Sequence, residues 1–121
     1  MTALLIALAA AGGAAARFLV DSLVSGRLGR WPWGTLCVNL SGSLALGLLV
    51  GLTLEGVVSP TDRLVVGTGF LGAYTTFSTW MYDCVRLTEQ GAWGRAWFNA
   101  LGSLMLGVLA AALGLWTAGQ W

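Results

Sequence analysis

The chain has 121 residues, 57% of them hydrophobic and only 9% charged, with 18 glycines and neither lysine nor histidine. Six arginines and five acidic residues, net charge +1, are too few to cover a small soluble domain, and arginines spread singly form no basic patch for nucleic acid. A hydrocarbon core of about 30 Å needs about 20 apolar residues per helix, so the length holds four spans with short loops and no separate soluble domain.

The first apolar run covers residues 2–20 and is interrupted only by Arg17. Ala14-Ala15-Ala16 resembles a signal-peptide cleavage site, but no basic residue precedes the run and the run exceeds a usual signal core. It reads as a retained span. The second span is expected over 34–54, the third over 64–82 and the fourth over 96–118, with joints at 25–33, 55–63 and 83–95. Within the second joint, Ser59-Pro60-Thr61-Asp62 has the form of a helix start, with serine as cap and proline in the first turn. All of 1–121 then forms one four-helix transmembrane domain of an all-α membrane protein.

Tryptophans support this topology. Trp31 and Trp33 fall in the first joint, Trp93 and Trp97 flank the third, and Trp116 and Trp121 close the chain, which gives an aromatic belt at each interface. Cys37 and Cys84 show no metal-ligand spacing and no CxxC, and are expected to be buried free thiols. Without histidine, and without paired carboxylates inside a span, nothing points to hydrolysis or metal catalysis.

Polar residues inside the spans follow helical periodicity. Thr35, Asn39, Ser43, Gly47 and Gly51 recur every fourth residue on the second span, and Asn99, Ser103 and Gly107 do so on the fourth. Small-residue faces of this kind serve close helix packing. The asparagines and hydroxyls also suit a water-filled or ion-lined path, because unpaired polar groups are costly in lipid. Both readings stand at this point. In the third span, 67–79 mixes glycines with hydroxyls and makes a poor continuous helix. A break near 72–75, at mid-membrane depth, would expose carbonyls that suit a cation and a half-helix N-terminus that suits an anion. A plain kink packed by neighbours is the alternative.

Three segments carry a family resemblance: Gly12-Gly13-Ala14-Ala15-Ala16-Arg17, Gly34-Thr35-Leu36-Cys37-Val38-Asn39-Leu40-Ser41-Gly42 and Gly69-Phe70-Leu71-Gly72-Ala73-Tyr74-Thr75-Thr76-Phe77-Ser78-Thr79. On these the chain resembles the bacterial fluoride channels of the Fluc (CrcB) family over essentially its whole length. The resemblance implies passive fluoride export across the cell inner (plasma) membrane by an antiparallel, dual-topology dimer. It also implies a structural sodium ion, not transported, held on the two-fold axis by the carbonyls of Gly72 and Thr75 from both subunits. Phe77 matches a pore phenylalanine whose ring edge faces the anion. By the same resemblance Asn39 is a pore donor, Thr76 and Thr79 line the path, Ser103 belongs to a hydroxyl track, and Arg17 lies at an aqueous vestibule. The chain departs from the pattern at Trp80, where a second pore phenylalanine is usual, and at Asn99, where some members have tyrosine.

Another class of small four-span dimer, the proton-coupled multidrug exporters, needs a carboxylate within the first span. Here that span holds Arg17 and no acid before Asp21, which argues against exchange. Orientation is less even than dual topology requires. Arg27, Arg30, Arg86 and Arg95 lie near the first and third joints, and only Arg63 marks the second. The positive-inside rule then biases both termini outward. A homodimer is preferred over a heterodimer with an inverted relative, and the bias keeps the second option open.

Overall fold

The computed structural model describes residues 1–29 and 31–120. Arg30 and Trp121, which entered the charge and aromatic-belt expectations, lie outside the described residues. Among the described residues the chain is all-helical and forms four rods. The first is α1 (Thr2–Ser25) and the second α2 (Trp33–Leu54). The third begins as α3 (Pro60–Arg63), widens into a π-helical segment (Leu64–Leu71), continues as α4 (Gly72–Tyr74), and after a three-residue break resumes as α5 (Ser78–Glu89). The fourth consists of α6 (Trp93–Trp97), a π-helical turn (Phe98–Gly102) and α7 (Ser103–Ala118).

Three helical stretches, Thr2–Ser25, Trp33–Leu54 and Trp93–Ala118, are long and apolar enough to cross a membrane. The third rod is divided into shorter pieces. Several rods outrun their apolar runs, because a helix continues past the hydrocarbon boundary until a cap stops it. Ser59 caps α3 as expected, its hydroxyl oxygen accepting the Asp62 N–H at 3.1 Å. Gly56 and Gly91, at φ of 75° and 74°, close the turns after α2 and α5 in a conformation that glycine alone adopts freely.

The packing is inverted relative to a soluble domain. Large apolar side chains such as Leu8, Phe18, Met105 and Leu109 point outward, and among the described residues Val38 alone of the large side chains is fully enclosed. Glycines fill the interior instead. Between α2 and α7, Gly47 faces the Ala111 carbonyl, Gly51 faces the Ala118 methyl, and Gly114 lies against the Leu44 carbonyl. Between α1 and the third rod, Gly13 abuts the Phe70 carbonyl and Gly69 the Ile6 carbonyl. A side chain at any of these positions would push two backbones apart, which is why small residues recur there. These contacts, with the apolar outer faces, define a multi-pass membrane protein.

The periodic stripe on α2 thus divides by position. Gly47 and Gly51 are packing residues held against α7. Asn39 and Ser43, two turns and one turn before Gly47, open onto a cleft.

Candidate functional site

The break in the third rod organises the site. Thr75 keeps its last helical bond, its N–H donating to the Leu71 carbonyl at 3.0 Å, but its ψ of 158° turns the chain out of the helix. In a continuous helix the Thr76 N–H would bond the Gly72 carbonyl. It donates instead to Asn39 Oδ1 at 2.8 Å, while Asn39 Nδ2 donates to the Thr76 carbonyl, also at 2.8 Å. Thr76 is buried, so both its backbone groups need partners, and one carboxamide from α2 supplies them. On the far side, the Thr79 N–H donates to Thr76 Oγ1 at 3.2 Å, which caps the start of α5. Gly42 makes room for this arrangement, since a methyl there would collide with the Thr75 side chain.

A cavity lies on each side of the break. The larger, about 440 Å³, is a cleft between α2, the third rod and α7. Asn39, Ser43, Gly72, Thr75, Thr76, Phe77, Trp80 and Ser103 line it together with aliphatic side chains, among them Leu46, Leu71, Leu104 and Val108, so its wall is mostly apolar with polar groups set into it. The smaller, about 200 Å³, is lined by Arg17, Asp21, Thr35, Thr76 and Thr79 among others. Arg17 reaches from it to the break, where Nη1 donates to the Thr75 carbonyl at 3.3 Å. Thr76 borders both spaces.

Within the cleft, Phe77 and Trp80 stand edge to face, with ring centroids 5.6 Å apart and planes at 89°. Phe77 is 69% exposed in the single chain. The Trp80 indole N–H donates to the Asn99 carbonyl at 3.1 Å, so it is committed to the fourth rod. Asn99 itself is buried behind the cleft. Its Oδ1 accepts the Ser103 hydroxyl at 3.2 Å and its Nδ2 donates to Cys84 Sγ at 3.3 Å. Sequence patterning placed Asn99 and Ser103 on one face, and the structure joins them, with Ser103 alone of the two reaching the cleft. Both cysteines are free and half-buried.

The fold also assembles residues that patterning did not single out as a group. Thr35 Oγ1 donates to Asp83 Oδ2 at 3.0 Å, and Arg86 lies 3.6 Å from the other carboxylate oxygen. Asp83 is buried, although its place one residue beyond the expected third span made it read as a loop charge. Its i,i+3 spacing to Arg86 was the available signal. Ser41 and Tyr74 share a hydrogen bond of 2.8 Å between α2 and α4, and no periodicity announces it.

Gly72 and Thr75 meet the chemical demands of a sodium site in part. The Gly72 carbonyl has lost its helical donor to Asn39, and unwound backbone carbonyls are the oxygen ligands sodium takes in membrane proteins. The Thr75 carbonyl already accepts Arg17 on one lone pair and has a second. Among the described residues no cluster of three histidine, cysteine or acidic groups offers a competing metal site.

An all-helical, multi-pass membrane protein with an interrupted third rod and a cavity bearing polar groups on each side of the break is the class that this geometry defines. The family profile described as CrcB-like protein, Camphor Resistance (CrcB), matches residues 4–115, and the chain belongs to that family. It is 49% identical over 118 residues to a Symbiobacterium thermophilum protein named Fluoride-specific ion channel FluC 1, covering 95% of each chain. A Streptomyces avermitilis protein of the same name is 44% identical over 98% of this chain and 96% of its own. Fluoride-specific ion channel FluC of Thermus thermophilus is 45% identical over 92% of this chain and 90% of its own.

Proposed function

We propose that this chain is a fluoride-selective channel, not an enzyme, that lets fluoride leave the cytoplasm passively across the plasma membrane. The observation that carries the reading is the cleft beside the break, which lines a membrane-embedded space with hydroxyls, an amide and aromatic rings but no carboxylate. The names of the relatives supply the ion. Fluoride is small and strongly hydrated, so a path for it must offer several weak donors in series rather than one deep trap. The hydroxyls of Thr76 and Ser103 in the cleft, and of Thr79 in the smaller cavity, are neutral groups that can rotate. Phe77 offers the positive edge of its ring quadrupole. Arg17, tethered to the Thr75 carbonyl, raises the local anion concentration in the smaller cavity, a vestibule it shares with Asp21, without standing in the cleft. A negative interior drives the anion outward at about 2.3 kcal/mol per charge per 100 mV.

The working unit in this reading is an antiparallel dimer, with the homodimer preferred, whose third rods cross the membrane with their breaks near the midplane. Its support is the exposed Phe77 ring, which a second chain would cover, together with the family. Gly72 and Thr75 of both chains would hold a structural sodium ion, which supplies a fixed positive charge where the rods meet. A bacterium lacking its own fluoride exporter and expressing this chain should grow at fluoride concentrations that arrest the parent strain. Equal arrest of both strains, with the protein present in the membrane, would refute the reading.

A further inference from the structure

We infer that Asn39 is a positioning residue, whose carboxamide holds the third rod open at Thr76 and so keeps the Gly72 carbonyl available to a cation. The inference deepens the channel reading and rests on it for its functional consequence. Its structural part stands alone.

A side-chain amide has one carbonyl and one NH₂ group, and Asn39 turns both to the same residue: Oδ1 accepts the Thr76 N–H and one Nδ2 N–H donates to the Thr76 carbonyl, each at 2.8 Å. This two-point contact replaces what the helix would provide. Without it, Thr76 is a buried residue whose N–H has its nearest natural acceptor one turn back, at the Gly72 carbonyl. Removing the carboxamide therefore favours a return of Thr75 from ψ 158° to the helical region and closure of the Thr76-to-Gly72 bond. That closure would take the Gly72 oxygen out of service and erase the N-terminus that Thr76 caps for α5. These two bonds use one of the two Nδ2 N–H groups and leave the other to the cleft that Asn39 lines, so holding the break and donating to an ion are compatible. What donation alone does not predict is an effect of losing the carboxamide on the Gly72 carbonyl.

The two roles separate on a readout other than flux. The purified dimer is melted in detergent in sodium chloride and in N-methyl-glucamine chloride, and the sodium-induced rise in melting midpoint is compared across variants. Asn39→Leu should lose the rise. Adding Thr76→Pro in that background removes the N–H that would close the helix, and it suits an extended residue before it, so the rise should return. A full sodium rise in Asn39→Leu, or none in a folded double variant, would overturn the inference. In the unmutated protein, hydrogen exchange offers a check that no folding failure can blur. The Thr76 amide should be as protected as those of α5, although it lies outside any helix, and rapid exchange there would overturn the inference. Failure of the channel reading looks different: unselective or absent fluoride flux with the sodium rise and Thr76 protection intact.

Discussion

Replacing Trp80 with phenylalanine tests the aromatic wall of the cleft and separates its two contributions. The structure gives the indole one hydrogen bond, 3.1 Å to the Asn99 carbonyl, and one perpendicular ring contact with Phe77 at 5.6 Å. Phenylalanine keeps the ring contact and loses the bond. The Asn99 carbonyl is not orphaned, because the Ser103 N–H also donates to it. The cost is then the net worth of one hydrogen bond, about 1 kcal/mol, plus about 1 kcal/mol for the smaller half-buried ring. Trp80→Ala removes the aromatic pair as well and should cost about 3 kcal/mol. Reversible unfolding in mixed micelles of increasing SDS fraction, followed by far-ultraviolet circular dichroism, would measure both. Fluoride flux should be intact or raised in Trp80→Phe, since the ring edge remains and the cleft widens. A loss well above 3 kcal/mol in that variant, or collapse of its flux, would refute the reasoning, because it would make the indole N–H essential.

Phe77→Ile keeps bulk at an exposed position but removes the positive ring edge, so fluoride flux in liposomes should collapse while stability falls only by the lost ring pair with Trp80, about 1 kcal/mol; normal flux would assign the ring to packing alone. Two glycines of α7 should respond in opposite ways. Gly114→Ala presses a methyl into the Leu44 carbonyl and should destabilise by about 1–3 kcal/mol. Gly107→Ala meets nothing closer than Ser43 Oγ at 3.6 Å and should be neutral or gain up to about 1 kcal/mol in the same micelle titration.

Much of this architecture was legible in residue order, for physical reasons that differ by element. The apolar runs announce their helices because lipid demands length and internal backbone pairing. The stripe on α2 announced a shared face but not its division, since glycine and asparagine at the same spacing serve packing or a cleft according to what lies opposite. At the third rod, glycines and hydroxyls over 67–79 signalled an interruption near 72–75, and the chain leaves the helix at Thr75–Phe77. The offset has a cause outside the local sequence: Asn39, on another rod, captures the Thr76 peptide. Long-range pairs of this kind, like Thr35 with Asp83 and Trp80 with Asn99, depend on how rods dock and leave no periodic trace. The π-helical segments at Leu64–Leu71 and Phe98–Gly102 were likewise silent.

The central claim concerns which ion passes. Purified protein in liposomes loaded with either fluoride or chloride, with a potassium ionophore to carry compensating charge and no pH gradient, reports it directly. Fluoride should leave rapidly and chloride hardly at all, because neutral donors in series reward a small anion and no carboxylate lines the cleft. Equal rates for the two anions, or fluoride efflux only under a proton gradient, would contradict it.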